Sequence, residues 1–506
     1  LIISLIKYYQ KNENTDHSKR RIQEAMLKKS FSFRALMLGV VSLADARAVS
    51  QERPNIVLIM ADDLGWADVS YNQTAELRTE RDDLTRTPVI DRLCEQGLRF
   101  DRFYAQPICT PTRAALMTGR YSWRSGMASG VILNHLEHGL PLDETTLAQV
   151  LRGAGYATYI VGKWHLGHVT PEHLPTERGF DYHYGFYTAI DHFTHQWQGG
   201  HDWHRNRVPV REEGYATDLL AADCERIIAE HDFSKKGMFL YHAMFAPHAW
   251  NQALEEDMKP YLHVENKERR AYLGLVAAMD RAVGRTVAAL EKAGQLDNTL
   301  VIFLSDNGGD SSLENDRRGH RVACNDPLRS GKGSYYEGGI RVPAFAYWPG
   351  KIEAGRVAGG LVHVVELLPT FANLAGAVLP EKPLDGMDLA PVLFNGADTA
   401  GRKEIVFMLE DTERLRRGAI IDWPWKLRRT ALKNSPWVHE LFNIETDPFE
   451  KADAHAQANA WPEITDRLSR RLDELAKDAP PAFWKEGDGK APEGWRAPPV
   501  IGPDQE

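Results

Sequence analysis

From residue 53 onward the apolar and polar positions follow one recurring unit, a strand-length apolar run that stops abruptly in polar residues. NIVLIM (55–60) ends in Ala61-Asp62-Asp63-Leu64-Gly65, and YATYIV (156–161) ends in Gly162-Lys163-Trp164-His165-Leu166-Gly167. MFLYHAMF (238–245) ends in Ala246-Pro247-His248, and TLVIFL (299–304) in Ser305-Asp306-Asn307-Gly308-Gly309. An unbroken apolar run predicts a strand covered on both faces. Between the runs, ETTLAQVLRGAG, ATDLLAADCERIIAEH and YLGLVAAMDRAVGRTVAALEKAG repeat apolar residues at helical spacing. Together they predict an α/β sheet with helices on both sides. Such sheets bind ligands outside the carboxyl ends of their strands. Four strand ends here would deliver Asp-Asp, Lys and His, His, and Asp-Asn to one edge.

Past about residue 400 the pattern shortens. EIVFMLE, GAIIDWPWKLRR and HELFNIETDPFEK predict short antiparallel strands, and ITDRLSRRLDELAKD predicts a helix. The expected organisation is a catalytic domain over 53–396 and a smaller subdomain over 397–506, ending in a Pro-rich tail that wraps the surface or meets another subunit. At the other end, MLKKSFSFRALMLGVVSLADARA (26–48) has a basic stretch, a short apolar run and the small-x-small site Ala46-Arg47-Ala48, which reads as a secretory signal. Residues 1–25 show no packing logic and read as upstream sequence or an artefact. No later run reaches the roughly 18 apolar residues of a membrane span. The expected location is therefore outside the cell or in the periplasm.

Composition narrows the chemistry. A net charge of −9 over 506 residues argues against nucleic-acid binding, so an anionic substrate must be met by a local basic patch. Only four cysteines occur, at unrelated spacings, which suggests neither a disulfide framework nor a zinc site. One of them opens CTPTRAALMTGR (109–120). Thr110 is the predicted N-cap, Pro111 suits the first turn and Gly119 closes the helix, which leaves Cys109 at the positive end of a helix dipole. Singly, Asp62-Asp63 and Asp306-Asn307-Gly308 also suit turns, His248 suits a loop, and Lys163 and His165 suit a solvated strand end. Taken together, Asp62, Asp63, Asp306 and Asn307 make an oxygen-only cation site of the Ca²⁺ or Mg²⁺ kind. Lys163, Arg113 and Lys332 add positive charge for a tetrahedral oxyanion.

Cys109-Thr110-Pro111-Thr112-Arg113, with Met117-Thr118-Gly119-Arg120, resembles the C-x-P-x-R signature of the type I sulfatases. The resemblance extends through Asp62-Asp63-Leu64-Gly65-Trp66, Gly162 to Gly167, Arg178-Gly179-Phe180-Asp181, Ser305 to Gly309, and Pro327-Leu328-Arg329 leading to Lys332 and Glu337-Gly338-Gly339. It covers about residues 54 to 450, and the stretches around Lys163 and Lys332 are similar to arylsulfatase B, the N-acetylgalactosamine-4-sulfatase type. It implies an alkaline-phosphatase-like fold with a large mixed sheet between helices and a small C-terminal antiparallel sheet plus helix.

It further implies that a formylglycine-generating maturation enzyme oxidises Cys109 to Cα-formylglycine. The hydrated aldehyde then supplies a gem-diol nucleophile, and the sulfated diol collapses by C–O cleavage, releasing sulfate and regenerating the aldehyde. The carried-over roles are Asp62, Asp63, Asp306, Asn307 and position 109 around one Ca²⁺, Asp306 as base, Arg113 holding the diol, and Lys163 and Lys332 on the sulfate. His165 would take the remaining diol proton, and His248 or Lys332 would protonate the departing alcohol.

The loops DHFTHQWQGGHDWHRNR (191–207) and ENDRRGHR (314–321) are rich in aromatic and cationic residues. They nominate His195, Trp197, Trp203, Arg317, Arg318 and His320 for a sulfated oligo- or polysaccharide, with a 4-O-sulfate on a galacto-configured sugar of carrageenan or chondroitin/dermatan type as the expected target. A phosphodiesterase or phosphonate hydrolase of the same superfamily, and an inactive glycan-binding protein, are the competing readings.

Overall fold

The apolar runs form the centre of a ten-stranded sheet because both of their faces are covered. The structure is a computed structural model describing residues 53–503, except 129, 312–321, 412–414, 433, 482, 484–490 and 493–494. The expected signal segment 26–48, residues 1–25, and Arg317, Arg318 and His320 lie outside the described residues. In chain order the sheet contains β1 (Asn55–Ala61), β2 (Leu98–Tyr104), β3 (Ala157–Lys163), β4 (Tyr182–Phe186), β5 (His204–Arg205), β6 (Val208–Pro209), β7 (Met238–Ala243), β8 (Thr299–Ser305), β9 (Ala344–Tyr347) and β10 (Arg356–His363). Their spatial order is β10-β2-β9-β8-β1-β7-β3-β4-β5-β6.

Strand β1 shows why the runs are unbroken. Ile56, Leu58 and Met60 face a core that includes α1 (Cys109–Thr118) and α2 (Leu147–Gly153). Val57, Ile59 and Ala61 face the opposite core, with α3 (Ala216–Glu230) and α4 (Lys267–Lys292). Each alternate residue has its own apolar layer, so a polar residue fits neither side.

Register aligns the strand ends. β1 runs parallel to β8, from Asn55 opposite Thr299 to Ala61 opposite Ser305, and parallel to β7, with Met60 opposite Ala243. β3 continues the row, with Gly162 opposite Ala243. Asp62-Asp63, Asp306-Asn307 and Lys163 therefore emerge at one edge. The sheet is mixed because β9 pairs antiparallel with both β8 and β2, and β5 antiparallel with β4.

Helix α1 begins two residues earlier than its sequence predicts. Ile108 occupies the N-cap in an extended conformation without a side-chain cap, and Cys109 is already helical. Thr110 does not cap, because its hydroxyl donates to the His165 carbonyl at 3.1 Å and accepts from Ile132 N at 3.2 Å. Gly119 closes the helix in the left-handed region, φ 63°, as expected.

Beyond the main sheet, β11 (Glu404–Asp411), β12 (Leu415–Asp422), β13 (Trp425–Leu432) and β14 (Val438–Asn443) form an antiparallel sheet in sequential order. Helices α5 (Ala454–Ala460) and α6 (Pro462–Ala476) follow, with Leu468 and Leu472 in the same apolar cluster as Ile405, Ile420 and Leu427. The tail continues past them to pair with the hairpin Gln196–Trp197/Gly200–His201, since Ile501 N donates to His201 O at 2.8 Å. Among the described residues no helix is long and apolar enough to cross a membrane.

Gly162 is where this packing meets the chemistry. Its φ is +117°, and a Cβ there would lie 1.8 Å from the Ala243 carbonyl oxygen on β7. Gly162→Ala should therefore cost about 3 kcal/mol or more in denaturant unfolding and displace the neighbouring Lys163. An unchanged unfolding midpoint would contradict this register.

Candidate active site

The edge residues and α1 converge on one buried cluster of charge. Asp62 accepts from Lys163 Nζ at 2.6 Å and from Cys109 Sγ at 3.4 Å. Arg113, one helical turn beyond Cys109, donates to Asp306 Oδ2 at 2.9 Å and lies 3.5 Å from Asp62 Oδ2. Its other terminal nitrogen bonds the Lys163 carbonyl at 3.1 Å and the Tyr241 hydroxyl at 3.3 Å. Lys332 reaches Asp63 Oδ2 at 2.6 Å and His248 Nε2 at 3.3 Å. Three carboxylates are thus met by three permanent cations in a site where Asp62, Asp306, Arg113 and Lys163 are all buried.

The backbone is strained where the carboxylates turn in. Asp63 has φ 64° and His165 φ 61°, both in the left-handed region that non-glycine residues seldom adopt. Asp63 is held there by its own N–H, which donates to Asp306 Oδ1 at 3.2 Å.

Burial opposes the charge on Asp62, but Lys163, His248, Arg113 and Lys332 outweigh it and hold the carboxyl well below its ordinary value. Burial and the charge of Asp62 push Asp306 the other way, up to about 7. Burial and Asp62 also push the Cys109 thiol well above its usual range, so it stays a protonated, poor nucleophile despite the helix N-terminus. Burial, then Lys163 and Arg113, keep His165 neutral. His165 Nε2 donates to Ile132 O at 3.0 Å, which leaves Nδ1 as a lone-pair acceptor with no protein partner. His248 is held down near 4 by burial, and its Nδ1–H donates to Ala249 O at 2.6 Å, which aims Nε2 at Lys332.

The donor set fits a hard cation. Asn307 Nδ2 is tied to Asp63 Oδ1 at 2.8 Å and to Gly308 O at 2.9 Å, which fixes the amide orientation and leaves the buried Oδ1 without a protein partner. An orphaned buried oxygen beside three carboxylates matches oxygen coordination. Ligand atoms of Asp62, Asp63, Cys109 and His248 also lie within 4.8 Å of one another, which puts position 109 in the same candidate metal centre.

Residues 54–377 match the family described as Sulfatase. The chain belongs to the sulfatase family. Residues 331–478 also match the family described as N-sulphoglucosamine sulphohydrolase, C-terminal. The sulfatase is 30% identical to mouse arylsulfatase J, over 88% of this chain and 80% of that relative. It is 32% identical to dog N-acetylgalactosamine-6-sulfatase, over 71% of this chain and 69% of the relative. The crystal structure of Ps i-CgsB, also solved in complex with k-i-k-neocarrahexaose, superposes with a TM-score of 0.75 at 35% identity, covering 86% of this chain and 96% of that chain. The sulfatase is a hydrolase of sulfuric esters, with the large mixed sheet and small antiparallel sheet expected of the fold.

The expected substrate loop behaves differently from its sequence. Trp203 is fully buried, stacked on His195 at 4.3 Å and on Phe186 at 6.2 Å, with Nε1 donating to Glu212. It has no face left for a sugar, and His195 is buried with it, so both belong to the core. Trp197 is half-buried in the hairpin, 6.1 Å from the ring of half-buried Trp250. Trp250 lies two residues after His248, on a loop tied to the hairpin's approach by His192, which bonds His248 O at 3.1 Å and Gln252 Oε1 at 2.9 Å. Sequence reasoning missed Trp250 and Tyr241. Trp250 carried a usable signal, an aromatic just past Ala-Pro-His, whereas Tyr241 is indistinguishable from any other strand residue.

Removing the central cation should expose how the cluster is balanced. Arg113→Met leaves Asp62 and Asp306 short of a partner and should cost about 3–5 kcal/mol in unfolding free energy as well as turnover of 4-nitrophenyl sulfate. Wild-type stability in this variant would contradict the charge arrangement.

Proposed function

We propose that this sulfatase is an exported enzyme that removes a 4-O-sulfate from a galactose-configured sugar in a sulfated oligo- or polysaccharide, using formylglycine made from Cys109. The observation that carries the carbohydrate part is the likeness to Ps i-CgsB, solved with a neocarrahexaose and aligned over nearly its whole chain. The half-buried aromatic pair of Trp197 and Trp250, the latter two residues past His248 in the chain, supports a pyranose packed on an aromatic face. Export rests on the signal pattern over 26–48. The resemblance to arylsulfatase B supports position 4, and the relative named N-acetylgalactosamine-6-sulfatase supports position 6 on the same sugar as the second reading.

In this reading Asp62, Asp63, Asp306 and Asn307 hold one Ca²⁺. When bound, the ion polarises the sulfate ester beside position 109. Formylglycine supplies a hydrated aldehyde there, and Arg113 orients it from the same helix. Asp306 takes the proton of the attacking hydroxyl, and Lys163 and Lys332 grip the sulfate oxygens. Lys332 or His248 protonates the departing alcohol, the proton coming from the Lys332 ammonium, 3.3 Å from the unprotonated Nε2 of His248. His165 takes the remaining proton at Nδ1, the nitrogen without a protein partner.

Protein produced together with a maturation enzyme should show the aldehyde at position 109 by peptide mass spectrometry. The same preparation, offered defined carrageenan and chondroitin oligosaccharides, should release sulfate from galacto-configured 4-sulfates, with the desulfated position read by NMR. Release confined to 6-sulfates would replace the 4-sulfate reading with the second one. Turnover by protein carrying only unmodified Cys109 would refute the formylglycine mechanism.

A further inference from the structure

Lys332 has no regular element of its own, so something outside its loop must hold it. On one side the backbone hangs from the catalytic sheet, with Lys332 N donating to Gly309 O at 3.1 Å and Gly333 N to Pro107 O at 2.8 Å. On the other side several anchors come from the small antiparallel sheet and the turn that follows it. Arg417 of β12 donates to Gly333 O at 3.1 Å. Tyr336 is covered by Arg428 of β13, 3.7 Å from its ring centroid, and its hydroxyl donates to Glu440 of β14 at 2.6 Å. Arg329, three residues before Lys332, donates to the Glu450 carbonyl at 3.2 Å and accepts at its own carbonyl from Gly338 N.

At the centre is a buried triad. Lys426 of β13 places its ammonium 2.8 Å from Glu337 Oε1 and 2.8 Å from Glu450 Oε1, with all three side chains 1% exposed or less. Glu450 also accepts from Glu337 N at 2.7 Å, and Glu337 receives the Tyr104 hydroxyl at 2.9 Å, with Arg341 at 3.9 Å. Two carboxylates and one ammonium buried from solvent allow little displacement without an unpaired buried charge. Glu337 is five residues from Lys332, and the intervening chain is pinned at Gly333 and Tyr336. Gly333, Tyr336 and Glu337 are therefore the points at which the small sheet holds the loop of Lys332.

We propose that Lys426, acting through Glu337 and Glu450, is a positioning residue for the sulfate grip of Lys332, so that the C-terminal sheet sets the geometry of the sulfate subsite. This rests on the role proposed above for Lys332. It accounts for an ionic group deep in a contact that apolar residues would fill at no loss of stability.

The test uses the full-length matured enzyme and reads kcat and KM for 4-nitrophenyl sulfate together with inhibition by inorganic sulfate. The double variant Lys426→Met/Glu450→Gln removes the ammonium and one carboxylate and leaves Glu337 with Tyr104 and Arg341. Its inhibition constant for sulfate should rise about tenfold, with KM rising in step and Lys332→Ala moving both further in the same direction. Arg417→Ala, which removes the bond to Gly333 O and the guanidinium over the Tyr335 ring and buries no charge, should raise both by about threefold and keeps the proposal testable if the double variant does not fold. Arg471→Ala, which breaks an exposed pair with Glu404 on the same small sheet, should leave them unchanged. Sulfate inhibition unchanged in Arg417→Ala and in a folded double variant, with Lys332→Ala affected, would overturn the positioning role alone. Unchanged inhibition in Lys332→Ala would overturn the sulfate-binding role of that lysine and the proposal with it.

Discussion

The structure depends on the burial of Asp62, Asp63 and Asp306 at one sheet edge. Three carboxylates cannot share a buried volume unless positive charge is built in among them, and Lys163, Arg113 and Lys332 supply it from β3, α1 and the 329–338 loop. Those six side chains sum to about zero formal charge. A divalent cation, if bound among them, would leave an excess of about two positive charges, one of which a singly charged sulfate monoester would offset. A centre loaded in that way would attract an anion locally, so the overall charge of −9 is no obstacle to an anionic substrate.

That balance explains the surrounding architecture. The parallel β1, β7, β8 and β3 are in register, so their polar ends are neighbours by construction. Gly162 lets β3 lie close against β7 immediately before Lys163. Helix α1 then brings Cys109 and Arg113 in from across the edge, one turn apart, and the buried Cys109 thiol bonds Asp62 rather than ionising. The C-terminal sheet completes the ring by holding the loop of Lys332.

Much of this was legible in the sequence because it rests on local and periodic signals. Unbroken apolar runs mark strands with two covered faces, and the polar residues that interrupt them mark the site. Nine residues named from such signals and from the family resemblance, Asp62, Asp63, Cys109, Arg113, Lys163, His248, Asp306, Asn307 and Lys332, are joined by direct contacts. What was not legible depended on long-range packing. Thr110 has the composition of a cap, yet its hydroxyl is taken by His165 and Ile132 from another segment. Trp203 and Trp197 look alike in a His- and Trp-rich stretch, but only packing against Phe186 and Glu212 makes one of them core. Lys426 and Glu450, which meet Glu337 in the buried triad, lie 89 and 113 residues away along the chain, beyond any local pattern.

The central claim is that the buried carboxylates and Asn307 form a single hard-cation centre whose positive excess receives the sulfate. Metal analysis of the active enzyme by mass spectrometry, followed by chelation and readdition, tests it most directly. The account predicts one Ca²⁺ per chain, loss of sulfatase activity with the ion and recovery on restoring Ca²⁺. Full activity in metal-free protein, or a native centre of zinc or of two ions, would contradict it.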